Sequence, residues 1–202
     1  MKNGGFRYII RKNGFCEGYL IFCVNDIWVE RLLLENGIDL QEFRRLSWED
    51  FAVALENGKA KHIIEDLQPT DFWQLCDAVA LSHAKFDFFA EGGRSIEGED
   101  VYRSSWYKKY PFAVYEDLYE RMLEEGYESG ESLELMTYFV ERSGNTPWQD
   151  WRDMIELCDV EGEMEEAMLH CVYLPPRDKM IREVVATLQR AVVLSRKRAD
   201  SI

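Results

Sequence analysis

The chain has 202 residues, 47% of them hydrophobic and 13% aromatic, which is enough to build a real core. Its formal charge of -14 argues against a protein whose main task is to grip a phosphate backbone, because that affinity comes from Lys and Arg displacing counterions. The charge is uneven: from Arg177 to the end, seven Lys/Arg stand against three Asp/Glu.

The five cysteines, Cys16, Cys23, Cys76, Cys158 and Cys171, are odd in number and contain no Cys-x-x-Cys pair. That pattern predicts free thiols in a reducing cytoplasm rather than a disulfide frame or a zinc site. Residues 1–5 carry no apolar h-region, so no signal peptide is expected. The longest apolar run, Tyr19 to Val24, is far too short to span a bilayer, and no membrane association is expected.

Residues 6–24 are aromatic and β-branched in two runs, Phe6 to Ile10 and Tyr19 to Val24, with Asn13-Gly14 between them. This predicts a small N-terminal β-hairpin, residues 1–25, packed on a helical body. From Asn25 onward the period changes and a helical domain, residues 26–202, begins. Helices are expected over 27–36 with Gly37 as stop, over 40–46, and from a capping box at Ser47-Trp48-Glu49-Asp50 to Asn57 with Gly58 as stop. A further helix over 59–67 follows. The next is capped by Pro69-Thr70 and carries Phe72, Trp73, Leu75, Cys76, Val79 and Ala80 on one face.

Residues 84–110 read as the least regular part. They contain Gly92-Gly93-Arg94, which lacks the Gly-Lys-Ser/Thr ending of a phosphate loop, and the aromatic, basic run Tyr102, Arg103, Trp106, Tyr107, Lys108, Lys109, Tyr110. Interleaved rings and cations can stack bases and neutralise phosphates. They also suit an amphipathic helix with its rings turned inward. Three helices are then expected: 112–125 stopped by Gly126, 131–142 stopped by Ser143-Gly144, and one from the capping box at Thr146-Pro147-Trp148-Gln149 to about Cys158.

An acidic helix over 159–170 follows. Glu166 and His170 lie four apart rather than at the Glu-x-x-His spacing of a metal ligand pair, so a solvated acidic face is expected and no metal or other cofactor. Pro175-Pro176 then turns the chain into a long C-terminal helix, 176–198. Its stripe of Met180, Ile181, Val184, Val185, Leu188, Ala191 and Val192 either closes the core or meets a partner helix. His62, His83 and His170 are scattered, with no Ser/His/Asp or Cys/His arrangement, and no catalytic residue is expected. The fold class expected is mainly α, a multi-helix domain with a small N-terminal β-hairpin.

Read in order, several landmarks resemble the fingers region of the Gram-positive replicative polymerase PolC, a bacterial DNA polymerase III alpha subunit. Residues 65–72, Glu-Asp-Leu-Gln-Pro-Thr-Asp-Phe, are similar to that family's Glu-x-x-Lys-Pro-x-x-Phe, and the helix after them ends in Leu81-Ser82-His83 where the family has Leu-Ser-His-Gly. The helix Tyr115 to Gly126 resembles the family's Asp-Asp-Ile-Met-x-Tyr-Leu-x-x-Lys-Gly-Leu. Leu133 to Arg142 and Trp148 to Cys158 fall where it has its next two helices. Residues 171–177, Cys-Val-Tyr-Leu-Pro-Pro-Arg, resemble its Ile-Lys-Tyr-Met-Phe-Pro-Lys-Ala-His, and residues 29–39 its Met-x-Leu-Thr-Gly-Ile-Asp.

The resemblance covers about residues 29–180. It implies a fingers-like helical scaffold standing alone, with DNA or a replication protein as partner. The contact residues it implies, together with the basic run, are His83, Arg94, Arg103, Lys108, Lys109, Arg177 and Lys179. The departures are specific. No counterpart of the palm and its paired metal-binding aspartates is present, so a two-metal reaction has nothing to run on. The family's basic run after the second helix is Glu141-Arg142-Ser143-Gly144-Asn145 here, and the His that ends its Phe-Pro-Lys-Ala-His is Lys179. The expected function is therefore a non-catalytic binding or accessory protein connected with DNA replication or repair. The alternative is an acidic protein–protein interaction module with no nucleic-acid role. An enzyme with a lidded pocket over 84–110 has no placed nucleophile and base to support it.

Overall fold

The computed structural model describes residues 4–12, 15–24, 26–56, 58–87, 95–97, 111–142 and 148–199. The chain is mainly helical, and it divides into two compact units, one of residues 1–75 with 181–202 and the other of residues 76–180.

The first unit begins with two antiparallel strands, β1 (Gly4–Lys12) and β2 (Phe15–Val24). Gly4 faces Val24 at one end and Lys12 faces Phe15 at the other, with a register shift between Ile10 and Arg11. The expected Asn13-Gly14 turn lies outside the described residues. Then come α1 (Asp26–Glu35), α2 (Leu40–Phe43), α3 (Trp48–Ala54) and α4 (Gly58–Leu67).

Local chemistry sets most of these boundaries. Gly37 takes φ +74 after α1, a conformation that only glycine adopts without strain. Asp39 caps α2 by accepting from the N–H groups of Gln41 and Glu42 at 2.8 and 3.3 Å. At α3 the capping box is present: Ser47 N–H donates to Asp50 Oδ2 at 3.1 Å, and Asp50 N–H donates to Ser47 Oγ at 3.4 Å.

Several boundaries differ from the sequence expectation. α3 stops at Ala54 because Leu55 leaves in extended backbone, and Gly58 opens α4 instead of ending α3. The cap of α5 (Phe72–Leu81) is Asp71 rather than Pro69-Thr70. Asp71 Oδ1 accepts from Gln74 N–H at 2.8 Å, and Gln74 Oε1 accepts from Thr70 N–H at 2.9 Å.

The second unit holds a sheet that the sequence does not announce. β3 (Lys85–Asp87) lies between β4 (Ser95–Glu97) and β5 (Cys171–Tyr173), antiparallel to both. Around it run α6 (Tyr115–Glu125), α7 (Ser129–Arg142), α8 (Trp148–Leu157) and α9 (Gly162–His170). Their buried faces make one core, with Phe86 from the sheet, Phe112 from the segment before α6, Leu118 and Met122 from α6, Leu135 and Phe139 from α7, and Met164 and Met168 from α9.

Gly126 ends α6 at φ +96, and Tyr127 N–H donates back to Met122 O at 3.0 Å. α8 ends the same way without a glycine: Asp159 takes φ +51, and Val160 N–H donates to Ile155 O at 3.2 Å. The acidic helix accordingly starts at Gly162 rather than at 159.

The last helix, α10 (Arg177–Ala199), starts in the second unit and runs on in the first. Its stripe Ile181, Val184, Val185, Leu188, Ala191 and Val192 is buried within the chain. In the first unit Gln189 donates to Asn36 O at 2.7 Å, and Arg190 Nε donates to Ala54 O at 3.1 Å. Of the two roles open to this helix from its sequence, it fills the first and closes its own core. Among the described residues, no helix is long and apolar enough to cross a membrane.

Candidate functional site

A buried, multiply bonded polar group lies at the junction between α6 and the Pro175-Pro176-Arg177 corner, inside the second unit. α6 presents Glu116, Asp117 and Glu120 in its first turn and a half, so 116 and 120 share a face and 117 lies beside them. Arg177 is the first residue of α10. Its guanidinium donates to Asp117 Oδ1 at 2.7 Å and to the two Glu120 oxygens at 2.8 and 3.3 Å. Asp117 Oδ2 meanwhile accepts from the N–H groups of Ala113 and Val114 at 2.7 and 2.9 Å, which caps the start of α6. One carboxylate thus caps its own helix and holds a cation from another.

Glu116 does the reciprocal task. Pro176, just before α10, has no side-chain oxygen to cap that helix. The Glu116 carboxylate accepts the Arg177 backbone N–H instead, at 3.2 and 3.1 Å from its two oxygens. Tyr115 N–H donates to Pro175 O at 3.3 Å and completes the seam.

The electrostatics follow from burial. Glu116 is 2% exposed and Arg177 8%. Burial pushes Glu116 up to about 8, although the nearby Arg177 guanidinium and the backbone N–H groups pull it down. Burial raises Asp117 as well, against Arg177 and the Ala113 and Val114 N–H groups. Burial disfavours the charge on Arg177, but Asp117, Glu120 and Glu116 outweigh it, and the guanidinium stays charged. Burial raises the Tyr115 phenol too, with Glu116 adding to it.

Of the residues singled out in the sequence, Arg177 is therefore placed inside the protein, braced by carboxylates, and not on a surface that a phosphate reaches. Lys179, two residues on, is exposed. His83 is half-buried just beyond α5, where its N–H donates to Ala80 O at 2.9 Å. Arg94, Arg103, Lys108 and Lys109 lie outside the described residues.

In the first unit, the basic end of α10 is also engaged. Arg196 makes two bonds of 2.6 Å to the Glu42 oxygens, and Arg198 donates to Asp50 at 3.0 Å. Glu42 is held below its ordinary range by the hydrogen bond from Arg196. The positive excess after Arg177 is thus largely spent within the chain.

Sequence reasoning missed Glu116, Asp117 and Glu120 as the partners of Arg177. The signal present was an acidic first turn facing a Pro-Pro-Arg corner some sixty residues away; the pairing itself is tertiary. Compared with protein-family models, with curated proteins and with solved structures, the chain matches none of them.

Proposed function

We propose that the chain is a non-catalytic relative of the PolC fingers region, acting as a binding or accessory protein in DNA replication or repair, and that it works through a protein partner rather than by holding the phosphate backbone. The resemblance supplies the replication link. The observation that carries the mode of action is the internal commitment of the cations: Arg177 to Asp117 and Glu120, Arg196 to Glu42 and Arg198 to Asp50. Among the described residues these three arginines are spent on the chain's own carboxylates, and in a chain of charge -14 that supports a role other than displacing counterions from DNA. Such a chain suits a basic protein surface, where complementary charge speeds encounter and weakens with salt.

Two of the segments that carry the resemblance, Tyr115 to Gly126 and 171–177, are the two that the Arg177 cluster joins. That juxtaposition supports reading them as one inherited corner. The test is primer extension by a PolC-type polymerase on a primed template, with and without the purified chain. A concentration-dependent change in extension supports the replication role. No change at any salt leaves the second reading, an acidic interaction module with no nucleic-acid role, which the net charge favours.

A further inference from the structure

Three carboxyl groups, Glu116, Asp117 and Glu120, gather around one guanidinium at the α6–α10 seam. Asp117 and Glu120 take the Arg177 side chain. Glu116, the most buried of the three, is bonded to the Arg177 backbone N–H. Arg177 is already paired with Asp117 and with the partly exposed Glu120, so a charge on the more deeply buried Glu116 would be stripped of water and repelled by its neighbour Asp117 with little cation left to offset it.

We propose that Glu116 is a proton-operated latch, protonated while it seats the first turn of α10 on α6, and that loss of its proton to solvent opens this seam. The hydrogen bond from Arg177 N–H serves either form, because a neutral carboxyl still accepts through its carbonyl oxygen. Ionised Glu116 needs water, which the closed seam excludes.

The titratable and charged groups around it act as follows. From α6, Asp117 repels the anion, Glu120 acts on Asp117, and Tyr115 carries a phenol raised by burial and then by Glu116 itself. From α10, Arg177 attracts it. Asp178 of α10 and Tyr173 of β5 act on the same Tyr115 phenol.

The direction of the pH effect follows. Glu116 binds its proton more tightly in the closed seam than in the open one, so the closed form is favoured most below the ordinary Glu range and loses that advantage as pH rises towards about 8. Asp117 is raised too and adds in the same direction at the acidic side.

The experiment is hydrogen exchange on the full chain, followed at the peptide that contains the first turn of α10 and corrected for intrinsic exchange. Between about pH 5.5 and about pH 7.5, opening is expected to become roughly tenfold easier for each pH unit, the slope of one proton. Glu116→Gln, which keeps an acceptor and cannot ionise, is expected to remove that slope. Wild-type protection that does not change with pH, or an unchanged slope in Glu116→Gln, overturns the proposal. Should Glu116→Gln fail to fold, a carbon-detected titration of the wild-type Glu116 carboxyl decides: a midpoint near neutrality supports the latch, and one in the ordinary carboxylate range overturns it.

Discussion

Asp117 holds Arg177 at 2.7 Å with one carboxylate oxygen, while its other oxygen caps α6 through the backbone of Ala113 and Val114. The ion pair therefore starts from a carboxylate already fixed in place, and little further ordering is needed to form it. Removing the cation would leave the Asp117 and Glu120 carboxylates without their counter-charge. Arg177→Ala is expected to lower stability by about 3–5 kcal/mol, the range for breaking a buried pair from one side. Arg177→Lys should recover part of it, since an ammonium cannot bridge both carboxylates in one plane. Urea unfolding curves check both; a shift within error for Arg177→Ala would mean that the pair adds nothing.

Gly126 tests a different link, from backbone to helix end. It sits at φ +96 with no atom within 4 Å of where a Cβ would stand. Gly126→Ala therefore probes the left-handed conformation alone, free of steric clash. An expected loss of about 1–2 kcal/mol follows, read from the same unfolding curves. Gly130, in helical backbone with equally open surroundings, is the control, and Gly130→Ala should be neutral or stabilising.

The thiols report on packing. Cys76 and Cys171 are buried, and Cys171 Sγ donates to Ala167 O at 3.5 Å. Cys158 is half-buried, and its thiol is pushed up by burial first and then by Glu134 and Glu131. Thiolate is the reactive form, so all three should label slowly in the folded protein. Cys158 should go before the other two, and Cys76 and Cys171 only on unfolding. Alkylation followed by peptide mass spectrometry gives the order; early labelling of Cys171 would contradict the core described for the second unit.

Much of the helical architecture is legible in the sequence because its ends are written in local chemistry. Gly37 and Gly126 supply left-handed backbone, and Ser47 with Asp50 supplies a reciprocal cap. Asp159, a non-glycine, does the same job at φ +51 after a helix whose end near Cys158 is legible, and the start of the next helix at Gly162 is not. The β4-β3-β5 sheet stays hidden because each strand has three residues, too few for a period of two to show. Residues 171–177 are legible as a corner and not as a strand, since the pairing of Phe86 with Cys171 is long-range.

The candidate site is legible only by half. Arg177 stands out as a cation after two prolines, but its direction, inward to α6, depends on a fold that brings residues 116–120 beneath it. A sequence shows which groups carry charge and leaves open which charges cancel one another.

The central claim, action through a protein partner and not through the DNA backbone, is tested most directly by one low-salt titration. Labelled primer–template DNA is titrated with the full chain, once bare and once loaded with a PolC-type polymerase. The account predicts no saturable binding to bare DNA and binding once the polymerase is in place. Saturable binding to bare primer–template would contradict it and return the exposed cations, Lys179 first, to a phosphate-holding role.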